Sequence, residues 1–145
     1  MSVWNNSTPE ERISMWKDFR EEINDLPEDE MLNSIANFFA DVPIGSRCLD
    51  FYTPESWPTP WELLYHKLFC TSSISLLIYH TLSLVLDNDR VEIILIDSDN
   101  DRFLVPLVDK HYIFNFELGK VNNIKNYPKI KIIDDFEGKE IYQVQ

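Results

Sequence analysis

Residues 69–86 read FCTSSISLLIYHTLSLVL. Ile74, Leu77, Ile78 and Val85 share one face at helical spacing, and Leu76, Leu82, Leu84 and Leu86 widen it. A helix that is apolar nearly all round belongs inside a core. The stretch therefore predicts a central buried helix from Cys70 to Leu86, with Cys70 in its first turn. It is no membrane span: it is shorter than the ~20 apolar residues a bilayer needs, and Ser75, His80, Thr81 and Ser83 interrupt it.

Upstream, Ser7 with Glu10, or Thr8 with Glu11, reads as a capping box with Pro9 at the first helical position. The stripe Ile13, Trp16, Phe19 and Ile23 carries that helix to about residue 25. Pro27 opens a second helix, Glu28 to Ala40, whose first-turn acids Glu28, Asp29 and Glu30 suit its positive end. Residues 41–60, DVPIGSRCLDFYTPESWPTP, hold four prolines and enough apolar side chains to predict a structured loop. Pro60-Trp61-Glu62 then opens a short helix to about Leu68.

Downstream the texture turns to strand. VEIILI (91–96), RFLVPLV (102–108) and YIFNF (112–116) are separated by the turns DSDND and DKH. Pro106 marks an edge strand or a bulge. After a turn at ELGK, KIKII (129–133) and EIYQV (140–144) are candidate fourth and fifth strands. Helices first and strands second predict an α+β fold: N-terminal helices and a central buried helix packed on an antiparallel meander of three to five strands. The chain reads as one domain, 1–145: helical to residue 40, a Pro-rich loop over 41–60, helices over 61–87 and strands over 90–145.

Composition narrows the function classes. Hydrophobic residues make up 44% and aromatics 13%, which suits a globular chain and not a disordered one. Three glycines leave no material for a Gly-rich phosphate loop. The net charge of −12 argues against nonspecific nucleic-acid binding and against an anionic membrane surface. Residues 1–50 hold eleven acids and four bases, whereas residues 101–145 hold seven of each, so the excess sits on N-terminal faces. The opening MSVWNNSTPEERISMW carries no signal-peptide pattern, which predicts a protein that is not secreted and whose Cys48 and Cys70 stay reduced.

Cys70 is the residue on which an enzymatic reading turns. A thiolate at a helix N-terminus meets unpaired backbone N–H groups and the positive end of the dipole. Nucleophilic catalysis also needs a base within reach and a group to orient it. Of the histidines, His66 precedes Cys70 by four residues, His80 lies ten residues into the helix, and His111 sits in a turn between strands. The bland alternative makes Cys70 a small buried apolar residue. No zinc spacing is present, and Asp97, Asp99 and Asp101 begin like a calcium loop but lack its later glycine and glutamate. No metal and no cofactor are expected. Trp57 and Trp61, fixed among prolines, and Trp4 before the first cap are either core side chains or anchors for a protein partner.

A Cys-headed buried helix followed by an antiparallel meander resembles the transglutaminase-like and papain-like cysteine folds over residues 60–118. The resemblance makes Cys70 the nucleophile and Asn115 the third polar residue. Where it places the histidine, the chain reads Asp101-Arg102-Phe103. An arginine is no general base, so the resemblance implies the fold more than the activity. The texture, rich in Asp, Asn, Ile and Lys and dense in aromatics, is also similar to small structural proteins of large tailed phages. The reading that follows is a non-enzymatic tail, baseplate or neck component. It would contact other protein subunits, without nucleic acid or membrane, in a virion or an infected host's cytoplasm. The alternatives are a cysteine hydrolase or acyltransferase using Cys70 with His111 or His66 and Asn115, and a small acidic inhibitor of a host nucleic-acid-binding protein.

Overall fold

The computed structural model describes residue 4 and residues 6–42, 51–66 and 70–136. Thr8 opens the first helix, α1 (Pro9–Ile23), through a reciprocal capping box with Glu11. Three further helices follow: α2 (Glu28–Phe38), α3 (Pro60–His66) and α4 (Thr71–Val85). Thr59 and Glu62 cap the start of α3 in the same reciprocal way. Five strands complete an α+β fold: β1 (Val91–Ser98), β2 (Asp101–Val108), β3 (Tyr112–Phe114), β4 (Val121–Asn123) and β5 (Lys131–Phe136).

The sheet is antiparallel throughout, in the order β4-β3-β2-β1-β5. The meander expected from the sequence holds from β1 to β4. The chain then returns to the far side of β1, where β5 pairs with it through a bulge at Ile133. β5 starts two residues later than the KIKII expectation and ends three residues later, and β4 (Val-Asn-Asn) carries no apolar alternation that could announce a strand. The candidate strand over 140–144 lies outside the described residues.

Tight turns set the register. Asp99 and Asn100 both have positive φ (53° and 67°), as do Asp109 and Lys110 (55° and 60°). Paired left-handed residues match the right-handed twist of the strands they join. The β1–β2 pairing places Pro106 opposite Ile93, in the middle of the sheet and not on its edge. It is tolerated there because the β2–β3 ladder ends at Leu107–Ile113, one step short of it.

Alternation along β1 and β2 feeds two apolar layers. Ile93, Leu95 and Leu104 join the main core under the helices, while Ile94, Ile96 and Val105 form a second layer with Phe103, Phe116, Ile124 and Ile130. Because both faces are covered, the middle of β1, Ile93 to Ile96, reads as an unbroken apolar run. In α4 every residue from Ser72 to Leu82 is buried. Its aliphatic side chains Ile74, Leu76, Leu77, Ile78 and Leu82 are each at most 2% exposed. At roughly 2 kcal/mol each, these five offset on the order of 10 kcal/mol of chain entropy.

Polar groups stitch the helices together. Arg12 is buried and donates to three carbonyls, those of Leu64, Ser7 and Tyr65, at 2.6, 2.6 and 2.7 Å. The Trp16 indole N–H donates to Thr81 Oγ1 at 2.8 Å, which joins α1 to α4. Trp4 packs against Phe38 and Phe39, and Trp57 stands edge-on to Phe136. These two indoles are 1% and 5% exposed, so this chain itself covers them and they present no face to a partner. Trp61 lies edge-on to Trp16 and keeps 38% of its surface.

Candidate functional site

Cys70 is the N-cap of α4, one residue before the helix that the sequence places it in. Its extended backbone (φ −116°, ψ 174°) turns the side chain back over the first turn. The Ser73 N–H donates to Sγ at 3.4 Å, and Ser73 Oγ lies 3.2 Å from the same sulfur. The sulfur thus occupies the place of a capping oxygen, facing the positive end of a fifteen-residue helix. Cys70 is a free cysteine and only half-buried, so it is not a sealed core residue. Cys48 lies outside the described residues.

The thiol lines a cleft of about 310 Å³. Its polar wall is formed by Cys70, Thr71, Ser72, Asp101, Arg102 and Asn115, and its apolar wall by Phe51, Phe103 and Phe116. Phe103 and Phe116 stack with their rings 6.3 Å apart. Three hydrogen bonds fix the start of α4 to β2 and to the residue after β3. Leu104 N–H donates to Ser72 Oγ at 3.1 Å. Asn115 Nδ2 donates to Thr71 O at 3.0 Å and to Ser75 Oγ at 2.9 Å.

Asn115 follows β3 directly, in a left-handed conformation (φ 62°) that asparagine tolerates better than most residues. It is 4% exposed. Both of its amide hydrogens are spent on α4, so toward the cleft it has only Oδ1 to offer, as an acceptor. Arg102, at the second position of β2, donates through Nε to Asp97 Oδ2 at 3.3 Å and through Nη1 to Tyr52 Oη at 3.1 Å. These contacts use two of its five N–H donors.

The structure brings Cys70 and Asn115 to one cleft and leaves the described histidines out of it. His111 follows β2 at the end opposite Arg102, six residues from Arg102 to Val108, or about 20 Å of strand. This corrects His111 as a base for Cys70. His80 is ten residues along α4, about 15 Å from the N-cap. It is buried beside Tyr79, and loss of solvation pushes its pKa down to about 4. His66 is the last residue of α3, and its side chain lies outside the described residues.

Sequence reasoning missed Ser72, Ser73 and Ser75 as parts of the site. The signal was present in TSSIS: three serines within an otherwise apolar buried helix need partners, and they find them in β2, Cys70 and Asn115. Asp97, Asp99 and Asp101 flank a hairpin turn in which Asp97 accepts from Asn100 N–H and from Arg102. Among the described residues, no three of His, Cys, Asp and Glu are placed to share a metal ion.

No protein-family model matches the sequence, and neither does any curated protein. Solved structures do match the fold. Calcium-bound LapG of Legionella pneumophila superposes with a TM-score of 0.76 at 17% identity, over 92% of this chain and 78% of that one. A second LapG structure gives 0.74 at 18% identity, over 88% and 74%. The EGTA-treated form gives 0.73 at 19%, over 90% and 74%. This likeness corrects the reading of the chain as a phage tail, baseplate or neck component, because the similar structures are LapG and not phage structural proteins. The fold is transglutaminase-like, as the Cys-headed helix and meander imply.

Proposed function

We propose that the chain is a cysteine hydrolase or acyltransferase with Cys70 as its nucleophile. The observation that carries this reading is the placement of the Cys70 sulfur. It caps α4, borders a cleft large enough for an acyl group, and shares that cleft with a buried, rigidly held Asn115. The similarity in fold to LapG supports it.

The chemistry is acyl transfer. Cys70 Sγ attacks a carbonyl carbon, a C–S bond forms, and the bond to the leaving group breaks. Water or another acceptor then releases the acyl group and restores the thiol. The N–H groups of Thr71 and Ser72 open α4 and have no carbonyl four residues back within the helix, so they suit the developing oxyanion. Asn115 Oδ1 is an acceptor for an N–H of the substrate. LapG is described as calcium-bound in one of its structures, but the carboxylates described here do not fit such an ion, and no step is routed through one.

The test is native labelling. Iodoacetamide is applied to the folded protein, the label is located by mass spectrometry, and acyl-transfer activity is followed in parallel. Cys70 should be alkylated in the folded state, and activity should fall in proportion and be absent from Cys70→Ala. A Cys70 that is labelled only after unfolding overturns the reading.

A further inference from the structure

We propose that the Ser73 hydroxyl is a catalytic group of this site, donating to the Cys70 sulfur and holding it in its ionised, attacking form. The inference rests on the reading of Cys70 as nucleophile and assigns the residue that readies it.

Geometry carries the assignment. Ser73 Oγ lies 3.2 Å from Cys70 Sγ, and the Ser73 N–H donates to the same sulfur at 3.4 Å. Sulfur is larger than oxygen, and both separations are those of hydrogen bonds to it. Ser73 is the third residue of α4 and is 0% exposed, so bulk water does not compete for its hydroxyl. Cys70 itself stays half-buried and borders the cleft. One residue thus offers the sulfur two donors from within the first turn of the helix.

The proton count fixes the direction of the hydroxyl contact. A thiol can donate to the serine oxygen or accept from its hydroxyl. A thiolate has no proton and only accepts, so after ionisation the contact persists as O–H···S⁻. The thiol proton leaves for water or a base, while the serine keeps its own proton and is no base itself. Hydrogen bonds to an ionised partner are the stronger ones, so the pair favours the ionised sulfur. The donors then divide. Ser73 holds the sulfur, and the N–H groups of Thr71 and Ser72, the two residues before it, are left for the oxyanion.

A sulfur held in this way is ionised more readily but attacks more slowly once ionised. The two effects separate with pH. Removing one hydrogen bond from an ionised group lowers its ionised fraction about tenfold where the neutral form dominates. The freed thiolate gains about threefold in reactivity. Iodoacetamide should therefore alkylate Cys70 about threefold more slowly in Ser73→Ala than in the wild type at pH 6, and about threefold faster at pH 10. The ratio of the rate at pH 10 to that at pH 6 rises about tenfold. A merely structural role does not move this ratio, because a change in access to the sulfur multiplies both rates alike.

The experiment uses the full folded chain, with iodoacetamide as the probe and the label on Cys70 located by mass spectrometry at both pH values. Ser73→Thr, which keeps the hydroxyl, should keep the wild-type ratio. A Cys70 that labels in the native chain but shows the same ratio in Ser73→Ala overturns the role of Ser73 and leaves the nucleophile in place. So does a threonine variant whose ratio rises as far as that of the alanine variant. A native Cys70 that iodoacetamide does not label sinks the nucleophile reading, and the proposal with it.

Discussion

Replacing Asn115 separates what its side chain does from what its backbone does. The side chain makes two hydrogen bonds, to Thr71 O and Ser75 Oγ, from a residue that is 4% exposed. Asn115→Ala removes both and leaves the Ser75 hydroxyl and a helix carbonyl short of a partner. At about 1 kcal/mol each, that costs about 2 kcal/mol. Alanine at a φ of 62° adds about 1 kcal/mol of backbone strain, for about 3 kcal/mol in all. Asn115→Gly loses the same hydrogen bonds without the strain and should cost about 2 kcal/mol. Asn115→Asp keeps the shape but turns a carboxylate oxygen toward the Thr71 carbonyl, so it should be at least as harmful as alanine. Urea unfolding followed by tryptophan fluorescence gives the three midpoints, and the slope should stay constant across them. A loss below about 1 kcal/mol for Asn115→Ala, or a glycine variant no better than the alanine one, would refute the role assigned to this residue.

Two further outcomes follow from buried groups. His80, depressed to about 4 in the folded chain, takes up a proton at higher pH once unfolded, where its pKa is about 6.5. The unfolded state therefore binds more protons between those values, and stability falls as pH drops from about 6.5 to 4, by roughly 3 kcal/mol at 1.36 kcal/mol per unit. The wild-type minus His80→Gln difference in unfolding free energy should show that slope; a flat difference would contradict it. Arg12→Met strands three carbonyls at the end of α3 and ahead of α1, and should cost about 3 kcal/mol in urea unfolding, with Arg12→Lys recovering little because a point charge cannot reach all three.

The elements that organise the fold were legible because single local rules govern them. The run from Ile74 to Leu82 is too apolar to lie anywhere but in the core, and Thr8 with Pro9 and Glu11 names a helix start. What stayed hidden depends on distant partners. Whether Pro106 sits on an edge is decided by how far β3 extends, and β3 stops after three residues. Whether Trp4 and Trp57 face solvent is decided by Phe38, Phe39 and Phe136, far along the chain. Arg12 reads as a solvated charge on α1 until α3 supplies the carbonyls that bury it. In the candidate site, Cys70 was singled out by its place at the head of the helix and Asn115 by the resemblance alone, but the serines that hold them together needed the register of β2 to become visible. The phage resemblance failed for a related reason: amino-acid texture reports composition, and composition does not encode how helices and strands are ordered in space.

The return of the chain from β4 to the far side of β1 has a consequence for biosynthesis. During synthesis the helices and the β1–β2–β3 hairpins emerge first and can fold on local contacts. Until Lys131–Phe136 leaves the ribosome, one hydrogen-bonding edge of Val91–Ser98 stays open along its whole length. That edge belongs to VEIILI, an apolar run rich in β-branched residues, of the kind that pairs with other copies of itself. The nascent protein thus carries its own aggregation hazard until the last of its five strands has been made. Slowing translation between residues 99 and 130 should lower soluble yield, and a separate peptide supplying the last strand should restore it.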